Sequence, residues 1–280
     1  MNDALAAAES AVRSGDPRAA LASLTTAVKA EPGRPALRVF MAQLLCVLGQ
    51  WERAHTQLNV AAELDASTLP MREMVGHALR CEKIRAAVFA GRRTPMVFGQ
   101  PDPWLALLIE SLLRSEQGDP QAVAALAQQA FDDAPATPGT LDGQPFEWIA
   151  DADSRLGPVL EAMVNGRYYW VPFSRLTVIN LEPAVDLRDR VWIPAQLTFS
   201  NGAEAIAMLP SRYPGSEASS DGGVLLATRT DWQPLGGERF AGLGQRVLVT
   251  DAGEFDLLSV HRIELSPAAG ADDEVSANDG

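Results

Sequence analysis

The chain reads as an α+β protein, a run of paired helices followed by a small, mostly antiparallel β domain. Three observations predict this. Residues 4 to about 134 are rich in Ala and Leu, and their apolar positions recur with a helical period. A 34-residue repeat runs through the same stretch. After Asn165-Gly166 the pattern changes to short β-branched and aromatic runs separated by turn residues.

The repeat carries its own physical logic. Gly15-Asp16-Pro17 recurs 34 residues later as Gly49-Gln50-Trp51, and Ala20, Leu24 and Ala27 recur as Ala54, Leu58 and Ala61. A third copy starts at Gly118-Asp119-Pro120 and repeats the Ala27 and Pro32 offsets at Ala130 and Pro135. Small alanines let the two helices of a unit approach closely. The glycine reverses the chain between them, and the proline ends the second helix. This period with these residues is the tetratricopeptide signature. Helices are expected at about 3–14, 17–30, 34–48, 51–64, 68–90, 102–117 and 120–134. The stretch 68–100 keeps helical spacing (Met71, Met74, Val75, Ala78, Leu79) but lacks a second-helix signature, and Gly91 to Pro103 closes the unit irregularly. The expected domains are a tetratricopeptide-like α-α superhelix over 1–140, a β domain over 141–266 with a leading helix at 154–165, and a disordered acidic tail over 267–280.

In the β domain, strands are expected at Tyr168–Phe173, Leu176–Leu181, Val191–Phe199, Glu204–Leu209, Val224–Arg229, Gln245–Thr250 and Phe255–Glu264. Ser200-Asn201-Gly202 reads as a hairpin turn. Pro172 and Pro194 mark edges or bulges. Arg229 to Phe240 reads as a long loop anchored by Trp232.

Composition excludes several functions. The 280 residues carry a formal net charge of −13 and only two lysines, Lys29 and Lys83, so nothing resembles the basic face of a nucleic-acid binder. No stretch approaches the apolar length of a membrane span, and the acidic N-terminus lacks the basic start of a secretory signal. Cys46 and Cys81 fall in helical patterns without metal or redox spacing, as in a reduced cytosolic protein.

The chain offers no catalytic constellation. His55, His77 and His261 lack metal-ligand spacing and read as ordinary histidines. Gly222-Gly223, Gly236-Gly237 and Gly242-Leu243-Gly244 are turn glycines rather than phosphate loops. No metal or cofactor is expected. Asp151 and Asp153 could be paired acids near Arg155, with Glu182, Asp186 and Asp189 downstream. As an active site they would serve metal binding or acid–base work. As structure, they cap the expected 154–165 helix.

The segment Trp148 to Phe173 is the expected joint, with Trp148, Asp151, Asp153, Arg155 and Tyr169 as its residues. Tyr168, Tyr169 and Trp170 alternate across a strand. With Tyr169 toward the β core, Tyr168 and Trp170 face either the helical domain or a partner. A superhelix of helix pairs presents a groove suited to a peptide or helix. Phe40, Leu44 and Val47 are the candidates for that face, with core filling as their other use.

The wording of the joint carries a family resemblance. Trp148-Ile149-Ala150-Asp151-Ala152-Asp153-Ser154-Arg155-Leu156-Gly157-Pro158, followed by Asn165-Gly166-Arg167-Tyr168-Tyr169-Trp170-Val171-Pro172-Phe173, resembles the ImpE/TagJ family. Asp186-Leu187-Arg188-Asp189, Trp192-Ile193-Pro194-Ala195 and Arg212-Tyr213-Pro214-Gly215-Ser216 extend the likeness in order. The resemblance implies a non-enzymatic, cytoplasmic accessory protein of bacterial type VI secretion. It implies an adaptor for the N-terminal helix of the small sheath subunit TssB, with a link to the ClpV ATPase that disassembles contracted sheath. The rival expectations are an oligomeric interaction protein using Tyr168, Trp170 and Trp192, and an enzyme using Asp151, Asp153 and Arg155.

Overall fold

The computed structural model describes residues 3–116, 118 and 120–266. The expected acidic tail at 267–280 lies outside the described residues, as does Asp119 of the third repeat turn.

Three helical hairpins are present: α1 (Asp3–Arg13) with α2 (Pro17–Ala30), α3 (Pro35–Val47) with α4 (Trp51–Leu64), and α6 (Pro103–Ser115) with α7 (Pro120–Asp133). The expected boundaries hold because the end signals are local. Gly15 and Gly49 adopt φ of 83° and 65°. At each, the glycine N–H and the next N–H reach back to the last-turn carbonyls, from Gly15 to Val12 and from Asp16 to Ala11, then from Gly49 to Cys46 and from Gln50 to Leu45. The Asp16 carboxylate caps α2 by accepting from the N–H groups of Arg18 and Ala19. Ala20, Ala54, Ala27 and Ala61 are buried in the helix contacts.

The irregular third unit is α5 (Leu69–Phe89) alone. Its second helix is replaced by an extended stretch that forms β1 (Met96–Val97), which pairs parallel with β6 (Arg167–Pro172) of the other half. The helical half thus lends a strand to the sheet.

That sheet has nine strands in the order β1-β6-β5-β9-β8-β7-β14-β2-β3, and every pairing except β1–β6 is antiparallel. The further strands are β2 (Gly139–Leu141), β3 (Gln144–Phe146), β5 (Val159–Val164), β7 (Leu176–Leu181), β8 (Trp192–Phe199), β9 (Glu204–Pro210) and β14 (Arg262–Leu265). A three-stranded sheet of β4 (Ile149–Asp151), β12 (Val247–Thr250) and β13 (Gly253–Asp256) shares the core on one face of the large sheet, through Ile149, Leu248, Leu160 and Val171. The opposite face, with Val159, Met163, Tyr168 and Trp170, joins the core of the helices. Strand alternation therefore divides the β5 and β6 side chains between two cores.

Four expectations are corrected. The 154–165 segment is not a helix: Ser154–Pro158 is a turn and Val159–Val164 is strand β5. All six β5 residues are buried, so the run lacks the alternation that marks a half-exposed strand. Asp151 and Asp153 consequently cap no helix. The expected strand at 224–229 is instead a short helix, α8 (Gly222–Leu225), capped by Asp221. The expected loop 229–240 lies largely in a hairpin of β10 (Thr230–Gly236) and β11 (Arg239–Gly244). The expected last strand 255–264 breaks into β13, a 3-10 turn at Leu257–Ser259, and β14.

Candidate functional site, a buried clasp beside an open groove

At the joint, Glu161 pairs with Arg85 across the two halves, while Asp151 and Asp153 are bound within the β half. Glu161 on β5 is fully buried and lies between two arginines from distant parts of the chain. Arg85 of α5 reaches it through Nε at 2.7 Å and Nη2 at 2.9 Å. Arg246, just before β12, pairs through Nη2 with Oε2, the oxygen that Arg85 Nη2 also binds. The Tyr168 hydroxyl donates to Glu161 and accepts from Trp170 Nε1 at 2.8 Å. Arg246 also binds Asp151 at 2.7 Å, and the Tyr213 hydroxyl donates to Asp151 at 3.0 Å. Burial opposes ionisation of Glu161, yet Arg85 and Arg246 with the bonds from Arg85 and Tyr168 hold it down at about 2. Burial pushes Asp151 up to about 7 against the pull of Arg246, with Asp153 and Glu161 adding repulsion.

Asp153 is equally engaged. It accepts from Arg155 Nε at 2.9 Å and Nη2 at 2.5 Å, and from the Gly242 N–H at 3.0 Å. Arg155 then lies over the Phe89 ring, 4.8 Å from its centroid. Asp151 and Asp153 face internal partners, and Arg155 is held by Asp153. Among the described residues no group of three His, Cys, Asp or Glu is placed to hold a metal ion.

A second grip runs along the repeat turns. The segment after β9 crosses the ends of the first two hairpins. Arg212 donates to the Val47 carbonyl at 2.8 Å, satisfying an orphan acceptor at the end of α3 and opposing the negative pole of the helix. Arg18 donates to the Ser219 carbonyl at 2.9 Å and to that of Ser220 at 3.3 Å. Gly222 packs so closely on the Gly15 carbonyl that an added Cβ would overlap it.

The expected aromatic residues divide accordingly. Tyr168 and Trp170 are buried against the helices, with Trp170 tilted on Phe89 at 5.9 Å between centroids, so neither offers a surface to a partner. Trp192 is buried as well, against Trp51 at 5.8 Å, with its Nε1 donating to Glu82. The oligomer contact expected through Tyr168, Trp170 and Trp192 is therefore closed to the folded chain. Tyr169 faces the other way and stacks on Phe98 at 4.3 Å. Trp148 stays 39% exposed and lines a surface hollow with Phe131 and Pro135, beside the joint rather than inside it.

Of the three groove candidates, Leu44 and Val47 are fully buried in the helical core and cannot meet a partner. Their i+4 and i+7 spacing from Phe40 holds for a core stripe as well as for a binding stripe. Phe40 is only partly buried. It lines a cavity of about 500 Å³ with Leu5 of α1, Leu37 of α3, and Val185 and Leu187 from the loop between β7 and β8. Glu9, Arg34, Asp186 and Arg190 add charges of both signs. Val185 is 89% exposed, yet its N–H is held by Asp189 Oδ2 at 2.8 Å. Sequence reading missed Leu5, Val185 and Leu187. The apolar Val185 and Leu187 interleaved with charged residues between two strands were the available signal.

Fold and site together define a class: a helical-repeat scaffold fastened to a β domain by the buried Arg85–Glu161 pair and packed aromatic residues, with an apolar hollow beside the first helices of the repeats. A family model described as ImpE protein matches residues 143–264, and a tetratricopeptide-repeat model matches 11–71. The type VI secretion system accessory component TagJ of Pseudomonas aeruginosa is 46% identical over 260 residues, covering 93% of this chain and 91% of TagJ. The crystal structure of protein VPA1032 from Vibrio parahaemolyticus shares the fold, with a TM-score of 0.84 and 24% identity over 92% of this chain and 97% of that one. The chain belongs to the ImpE/TagJ family of type VI secretion accessory proteins. Among the described residues no helix is long and apolar enough to cross a membrane.

Proposed function

We propose that this chain is a non-enzymatic, cytoplasmic adaptor of type VI secretion that holds the N-terminal helix of the small sheath subunit, TssB, and links it to the ClpV-type ATPase. The observation that carries this reading is the 46% identity to the accessory component TagJ along nearly the whole chain. The shape of the groove supports the reading. A short amphipathic helix docks by apolar side chains at i, i+3 or i+4, and i+7. Leu5, Leu37, Phe40, Val185 and Leu187 form a matching trough with charged residues among them. The net charge of −13 favours a partner segment bearing Lys or Arg, so association weakens as salt rises.

The test is a calorimetric titration of the full chain with the N-terminal peptide of the sheath subunit. Saturable binding is expected, reduced more than tenfold by Phe40→Asp. Absence of binding at about 100 μM peptide, equivalent to about −5.5 kcal/mol, refutes the adaptor reading. Full binding by the Phe40→Asp chain keeps the adaptor and moves its site elsewhere.

A further inference from the structure

A second hollow, remote from the groove, carries chemistry that neither the clasp nor the adaptor reading uses. It lies between the helices α5, α6 and α7 and the β10–β11 hairpin and has a volume of about 260 Å³. Phe89, Leu112, Val123 and Leu235 give it apolar walls, and Arg155 and Arg239 supply its charge. The two arginines are not equivalent. Arg155 is neutralised by Asp153, which accepts from it at 2.5 Å. Among the described residues Arg239 makes no ion pair, and its Nε is buried without an acceptor. A buried donor left unpaired is costly, more so when it is charged. Burial pulls the Arg239 pKa below its ordinary value against the opposing attraction of Asp153, with Arg155 adding repulsion.

We propose that this hollow binds a small amphipathic carboxylate, a monoanion with an aliphatic or aromatic body of about ten heavy atoms, a size the volume admits at roughly 30 Å³ per water-sized group. The carboxylate accepts from Arg239, whose planar fork suits two parallel bonds to one carboxyl group. The body lies against Phe89, Leu112, Val123 and Leu235. One guanidinium without a direct carboxylate partner matches one negative charge, and the apolar walls disfavour a hydrated multivalent anion such as phosphate. Occupancy ties the β10–β11 hairpin to α6 and α7.

The experiment is a calorimetric titration of the full chain with octanoate, with octan-1-ol and inorganic phosphate as controls. The expected result is saturable one-to-one binding of octanoate, at least tenfold tighter than octanol, with no phosphate binding. Arg239→Gln should weaken octanoate at least tenfold, and Val123→Trp, which fills the hollow, should abolish it. Equal binding of octanoate and octanol overturns the proposal, because only apolar partition would remain. So does phosphate binding as tightly as octanoate, or octanoate failing to saturate at several millimolar. Competition by acetyl-Phe-Glu-amide at equal affinity also overturns it, reassigning the hollow to a protein segment. The comparison of octanoate with octanol on the unaltered chain decides the matter even if a variant fails to fold.

Discussion

The clasp and the groove use residues in opposite ways. In the clasp, charged side chains are buried and nearly every polar atom is answered: Glu161 by Arg85, Arg246 and Tyr168, and Asp151 by Arg246 and Tyr213. In the groove, apolar side chains such as Phe40 and Val185 stay at least partly open to solvent, with charges of both signs beside them. Buried ion pairs tolerate little change once formed, because removing one partner strands the other. Partly exposed apolar residues contribute little to the fold and are free to serve another surface. The clasp fixes the shape of the chain; the groove is what that shape holds open.

The sharpest test of this contrast is Glu161→Gln. It leaves Arg85 and Arg246 short of a counter-charge, and a loss of about 3–5 kcal/mol is expected in chemical denaturation. A loss below 1 kcal/mol would mean that the clasp is ornamental.

Acid titration probes the same residue. The folded pKa of Glu161 is depressed to about 2 from 4.5, so its stabilisation is complete above pH 4.5 and is lost as pH falls toward 2, by about 3 kcal/mol in all. Asp151 acts in the other direction. Its raised pKa means that the folded chain holds the proton more tightly than the unfolded one, so stability declines as pH rises from about 4 to 7. Denaturation midpoints across pH 2 to 8 should show both slopes, the first missing in Glu161→Gln and the second in Asp151→Asn.

Gly222→Ala tests the second grip. Its methyl group would overlap the Gly15 carbonyl, and a cost of about 1–3 kcal/mol is expected, read as a lower thermal midpoint. The smallest effect on stability belongs to the groove. Phe40→Asp should change it by about 1 kcal/mol or less while cutting sheath-peptide binding more than tenfold. A large loss of stability there would place Phe40 in the core and break the comparison.

Much of the scaffold was legible because its signals are local. Gly15, Gly49, Pro17 and Pro35 sit at helix ends, and the 34-residue spacing of alanines repeats the packing. The β5 strand was misread as a helix because it is buried on both faces, and a fully buried run carries no period that separates strand from helix. The turn at Asn165 and Gly166, with φ of 48° and 72°, joins β5 to β6, and that pair of residues is itself a hairpin signal. The candidate site was less legible. Asp151 and Asp153 looked like caps because their neighbours in sequence suggested a helix, whereas Arg85 and Arg246, the residues that assign the clasp, come from far along the chain.

The sequence alone determined the order of the two halves, the repeat, the helix ends and the family, since each rests on residues within a turn or a period of one another. Tertiary structure decided which charges meet, which aromatic residues are covered, and where a hollow stays open. Those outcomes depend on contacts between residues far apart in the chain, and a buried carboxylate acquires its role from the arginines the fold brings to it.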